Sequence, residues 1–340
     1  MLRFHSRTLS LTAALLLLVL ASGTALAQYK LVKLNSNQAH KTFHQDGLLV
    51  NAWGLAYGPT GPFWISDEGN GWSTTYDGSG VAQSTRIVVP SAGTGPGSPT
   101  GIVFNGSQEF QVEGWPAIFL FATLDGTISG WSPLSNPTEA IIAVPSSASG
   151  AVYTGLAITN KSSGNFLYAA DFANNKVDVY DATFSLVTSF TDPTPLPGFA
   201  PFGIQDINGL VYVAFAKTNG GPGGIIEVFT EAGVFQKRLT HGSPLNQPWG
   251  IALAPANFGA LSNMLLISNN TNAGTISGFN PKSGKFVGTL TSGGKPISID
   301  QLWGIEFGGG SPKNGQTNQL FLTAGPNNNV NGLFAEIELQ

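Results

Sequence analysis

Apolar residues in this chain come in short runs cut by Gly, Pro, Asp and Asn, almost from one end to the other. The stretch from Val50 to Gly80 sets the pattern. Gly54 to Tyr57, Phe63 to Ser66 and Trp72 to Tyr76 are three such runs, and Thr85 to Val89 is a fourth. Runs this short, bounded by turn residues, read as four strands of one antiparallel sheet. A single sheet of that size cannot bury both faces, so it has to stack on copies of itself.

The copies are visible. Each opens with a residue followed by Gly and an apolar strand: Trp53-Gly54, Thr100-Gly101, Thr154-Gly155, Phe202-Gly203, Trp249-Gly250 and Trp303-Gly304. These glycines lie 47, 54, 48, 47 and 54 residues apart. Six units of about fifty residues predict an all-β, six-bladed β-propeller with four-stranded antiparallel blades. The units begin near residues 50, 98, 152, 200, 247 and 301. A residue without Cβ lets the innermost strands approach each other at the axis. The bulky residue before it, in four of the six copies, is expected to fill the wedge between blades.

The sixth unit is short and stops after three strands. The run Tyr29 to Leu34, from the other end of the chain, is the natural fourth strand. The N-terminal strand would then pair in the last blade and close the ring, removing an open edge. Residues 28–340 are thus read as one domain, with 28–49 as closing strand and lead-in. The Pro-rich connectors Gly93 to Pro99 and Asp192 to Pro201 are read as surface crossings.

Composition agrees with a packed β domain. Forty-four Gly and 21 Pro serve the turns, while 42% hydrophobic residues, 22 of them Phe, supply a core. Residues 1–27 read differently. Arg3 and Arg7 precede an apolar run, Leu11 to Ala21, and Ala25-Leu26-Ala27 has the small-x-small form of a cleavage site. The expectation is a signal peptide cut after Ala27 and a secreted or periplasmic protein. The run is too short to span a bilayer of ~30 Å, no second span follows, and no sorting tail is in view before Gln340. From Gln28 on, 13 basic residues face 19 acidic ones, a net charge of −6. That balance argues against nucleic acid as a partner. With no cysteine there are no disulfides, thiol nucleophiles or thiolate metal sites.

The segment Leu167 to Asp181, LYAADFANNKVDVYD, resembles the NHL-repeat signature: a strand, an Asp, an Asn-Asn-basic turn, then a strand ending in aromatic-Asp. The fuller pattern resembles a family of uncharacterised secreted bacterial β-propeller proteins. Asn51 to Ala56, Phe63 to Gly69, Pro99 to Asn105 and Leu322 to Pro326 carry that likeness. It implies the fold and an exported location, and no activity. The chain departs from the pattern after Pro326, where Asn327 to Asn331 stands in place of acidic residues and a His.

Candidate chemistry is sparse. Asp67, Asp125, Asp171 and Asn269 follow the second strands at similar places. Converging on one rim, they could offer oxygen ligands to a hard cation such as Ca²⁺, which takes six to eight. Such residues also shape hairpins through bonds to their own backbone. Glu68 and Glu306 are rare acids beside apolar strands, where burial would raise a carboxyl pKa, although a side chain turned to solvent is the simpler expectation. His40, His44 and His241 lack metal-type spacing. Trp72 and Trp115 sit near turns and could stack on sugars. No catalytic motif assigns a nucleophile or base.

Three functions therefore stand side by side: a binding module for a protein, peptide or glycan; a metal-dependent lactonase- or lyase-like enzyme using the four rim residues; and an envelope structural protein. The chain is expected to be a monomer.

Overall fold

A computed structural model describes residues 28–146, 149–159 and 164–340; the expected signal peptide lies outside them. Among the described residues, six sheets built on four antiparallel strands form a closed ring, one of them carrying a short parallel fifth strand, His44–Gln45, and the only helical element is one 3₁₀ turn, Gly259–Leu261. The inner strands are Ala52–Tyr57, Pro99–Phe104, Tyr153–Ile158, Phe199–Ile207, Pro248–Leu253 and Leu302–Phe307, for blades 1 to 6. Each touches the inner strand of the next blade, and that of blade 6 touches that of blade 1.

The ring closes as the short sixth unit requires. Tyr29–Ser36 pairs antiparallel with Leu333–Leu339 and becomes the fourth strand of blade 6. Tyr29 fixes its start: its hydroxyl donates to the Phe258 carbonyl at 2.8 Å and accepts the Leu261 N–H at 3.2 Å, both beside blade 5. Further along, Leu34 packs with Leu49, Phe63 and Phe334 between blades 6 and 1.

The core is six inter-blade layers rather than one centre. Trp64 of blade 1, for example, lies 4.5 Å from Phe119 and 4.7 Å from Trp131 of blade 2 by ring centroids. Hydroxyls from second strands staple one blade to the next: Ser268 donates to the Trp303 carbonyl at 2.6 Å, and Thr323 to that of Trp53. The repeated glycine works as expected. A Cβ on Gly203 would lie 1.9 Å from the Trp249 carbonyl oxygen, and one on Gly54 2.4 Å from that of Thr100.

The bulky residue before the glycine does something else. Trp53, Phe202, Trp249 and Trp303 do not fill wedges between blades but meet one another on the axis. Blades 2 and 3 contribute Thr100 and Thr154 at this position, which leaves room for four large rings. Trp53 stacks on Trp303 at 3.8 Å, and Trp249 meets Trp303 edge-on at 6.1 Å. Indole N–H groups lock two of them: Trp249 Nε1 donates to the Thr154 carbonyl at 2.8 Å, and Trp303 Nε1 to Asn51 Oδ1 at 3.0 Å. The aromatic residues stand at the starts of their strands, so they plug one end of the axial channel.

Candidate functional site

The four rim residues lie at this plugged end. Asp67, Asp171 and Asn269 pair with Ala52, Tyr153 and Pro248, at the starts of inner strands, and Asp125 follows Thr123, which pairs with Pro99. Each stays in its own blade and serves a local bond. Asp171 Oδ1 accepts the N–H groups of Val152 at 3.1 Å and Asn174 at 3.2 Å, and its Oδ2 the Asn174 amide at 2.7 Å. Asn269 accepts the Asn246 N–H at 2.8 Å and donates to the Pro244 carbonyl at 3.1 Å. Asp125 accepts the Ala92 N–H at 2.6 Å and the Thr123 hydroxyl. Burial pushes its pKa up, but these bonds outweigh burial and hold the carboxyl below its ordinary value. Asp67 is fully buried and takes one bond, from Thr74 at 2.7 Å; burial raises its pKa well above the usual range. Three of the four thus latch the connector entering an inner strand. Among the described residues no group of three or more His, Asp or Glu is placed to hold a metal ion.

The other candidates scatter. Glu68 accepts the Asn51 amide at 2.6 Å, and Asn51 in turn holds Trp303, so this acid supports the plug. His40 and His241 are exposed on the outside; His44 lies in a two-residue strand against Asn35. Trp72 is half-buried inside blade 1, whereas Trp115 is 47% exposed in a small hairpin.

Glu306 is different. It lies in the inner strand of blade 6 and lines a cavity of about 220 Å³ on the axis, reached by all six inner strands and floored by Trp249. The cavity continues into a second of about 400 Å³, also lined by Glu306. Both lie toward the C-terminal ends of the inner strands, so the channel opens at the end opposite the aromatic plug.

Register explains which residues reach it. Two places after the repeated glycine, the six copies carry Ala56, Val103, Ala157, Gln205, Ala252 and Glu306. Side chains alternate along a strand, so equivalent positions form one ring. All six line the two cavities. Four are small or apolar; only Gln205 and Glu306 are polar. Neither side chain has a hydrogen-bond partner among the described residues. Among the described residues no Lys, Arg or His lines either cavity, while Asp206 and Glu231 stand at the wider one. Burial with no compensating donor pushes the Glu306 carboxyl up to about 8. Nearby Tyr57 is raised too, by burial first and by Glu306 second, and donates to the Phe307 carbonyl at 2.9 Å.

Comparison with known proteins supports this architecture. No protein-family model matches the chain. Three uncharacterised proteins of Acanthamoeba polyphaga mimivirus are similar in sequence. One is 29% identical, with 92% of this chain and 81% of that protein covered. A second is 31% identical over 77% of this chain and 52% of that longer protein, and a third 29% over 92% and 86%. The sequence resembled bacterial proteins; these matching relatives are viral. Among solved structures, a gluconolactonase of Xanthomonas campestris superposes with a TM-score of 0.55 at 14% identity, over 86% of this chain and 88% of that one. A virginiamycin B lyase of Staphylococcus aureus, solved with quinupristin, gives 0.54 at 13%, over 92% and 100%. At such identities the likeness is one of fold.

Proposed function

We propose that this protein is a binding propeller that takes an amine-bearing ligand, such as a peptide amino terminus or an amino sugar, into the open end of its axial channel. The observation that carries the reading is Glu306: a carboxyl inside an axial cavity that no basic residue lines among those described, with no side-chain hydrogen bond among them. The apolar ring around it takes a hydrocarbon stem. Gln205 offers a second polar contact, and the carboxyl pairs with an ammonium group. Pockets of this kind, mostly apolar with a few placed polar groups, are typical of small-ligand sites.

Proton linkage makes the reading testable. Glu306 holds its proton up to about pH 8, and an arriving ammonium favours the ionised form. Binding at pH 7 therefore releases a proton. Calorimetric titration with triglycine and with butylamine should show a heat that changes with the ionisation enthalpy of the buffer. Affinity should rise about tenfold per pH unit between pH 6 and 7.5, and Glu306→Gln should weaken binding at least tenfold and abolish that slope. An affinity flat in pH, or unchanged in Glu306→Gln, would refute the assignment.

The fold shared with a gluconolactonase and a virginiamycin B lyase keeps a lactonase- or lyase-like activity as the second reading. With a metal on Asp67, Asp125, Asp171 and Asn269, it would need those side chains to leave the bonds that hold their connectors. Export through residues 1–27, as a member of a secreted NHL-like family, belongs to the same proposal. Edman sequencing of material recovered outside the cytoplasm should begin at Gln28.

A further inference from the structure

A second surface, opposite in charge to the channel, lies on the closing strand. From Gln28 to Gln45 the chain has Lys30, Lys33, His40, Lys41 and His44 and no Asp or Glu, within a protein that is otherwise acidic. Lys30, Lys33, His40 and Lys41 gather with Phe43 around an open concavity of about 380 Å³ on the outer wall of blade 6. Lys30 is engaged, its Nζ 2.9 Å from Glu338 Oε1. Lys33 and Lys41 are exposed and have no side-chain ion pair or hydrogen bond among the described residues. Phe43 is 75% exposed, more than any other large apolar side chain among those described.

Lysine on a bare strand edge discourages sheet-to-sheet pairing. That accounts for Lys30 and Lys33, which stand on the edge strand. It does not account for Lys41, which lies beyond the strand, or for a phenyl ring left in water beside it. A ring flanked by unpaired ammonium groups has the chemistry of an interfacial anchor: the ring enters the boundary between headgroups and acyl chains, and the cations meet anionic headgroups. A soluble polyanion would use the lysines and gain nothing from the ring. We propose that this face rests on a phospholipid surface bearing anionic headgroups, through Lys33, Lys41 and Phe43.

Residues 28–340 hold all six blades and the closing strand, so the chain from Gln28 can be tested apart from the apolar leader. It should sediment with unilamellar vesicles of 70% phosphatidylcholine and 30% phosphatidylglycerol in 0.1 M salt. It should stay in solution with pure phosphatidylcholine, and 0.5 M salt should release it. Lys33→Gln and Lys41→Gln should each lower partition about fivefold, and Phe43→Ser should lower it as well, all at unchanged melting temperature. No sedimentation with the anionic vesicles, equal sedimentation with both kinds, or full binding by the triple variant would overturn the proposal. So would binding of a soluble sulfated polysaccharide without any vesicle binding.

Discussion

Glu306 shows how much one position of a repeat can matter. The native state keeps its proton to about pH 8, whereas an ordinary glutamate loses it near 4.5. Between those values the folded chain binds more protons than the unfolded one, so Glu306 makes stability fall as pH rises from about 4.5 to 8. Glu227, buried beside Arg238, and Glu336, buried near Glu338, act in the same sense up to about 7. Glu306→Gln removes only the first contribution. Its melting temperature should therefore gain on the parent's as pH rises from 5 to 8.5, by about 2–4 kcal/mol in stability after allowing for the open channel. A constant difference across that range would mean that the carboxyl titrates normally. The sequence shows Glu306 as an acid beside an apolar strand, and that alone favours a solvent-facing side chain. Alignment of the six copies on their glycines is the signal that separates it, because Ala, Val, Ala, Gln, Ala and Glu then fall on one ring. Trp53 adds a detail that no sequence pattern conveys: its Nε1 is buried without a partner among the described residues.

At the scale of elements, the blade count, the strand order and the closing strand were all legible. Each depends on local signals: short apolar runs, turn residues and a sixth unit one strand short. The fate of the residues before the glycines was not legible. Their bulk is visible in the sequence, but whether four rings fill wedges or meet on the axis depends on how six inner strands tilt round the ring. Three of the rim residues, Asp171, Asn269 and Asp125, show the same limit. Their similar places in the repeat are clear, yet spacing does not reveal that Val152, Asn246 and Ala92 already supply their partners. Closure makes the sharpest prediction at this scale. A chain beginning at Asn35 loses the antiparallel partners of residues 335–339 and the Tyr29 bonds to Phe258 and Leu261. It should melt well below the chain from Gln28 and associate through the bared edge. Equal melting of the two would contradict ring closure.

As a whole molecule, the ring has two unlike ends and one unlike side. The end at which the inner strands start is filled by Trp53, Phe202, Trp249 and Trp303 and ringed by latches. The other end opens on Glu306 and Gln205, and among the described residues no cationic side chain lines it. The outer wall of blade 6 carries the lysines. No helix among the described residues is long and apolar enough to cross a membrane. On the proposed reading, ligand binding belongs to the Glu306 end and structural work to the aspartate end. The most direct test is one melting series at pH 7.5, where the triglycine amine is still largely protonated, on the parent, Glu306→Gln and Asp171→Asn, each with triglycine, with Ca²⁺ and with Ca²⁺ plus chelator. A ligand at a hundredfold excess over its Kd adds about 2.7 kcal/mol to the state that binds it. Triglycine should raise the melting temperature of the parent and of Asp171→Asn but not of Glu306→Gln, and Ca²⁺ should shift none of them. A chelator-reversible Ca²⁺ shift that disappears in Asp171→Asn, with no response to triglycine, would place the function at the opposite end and contradict the account.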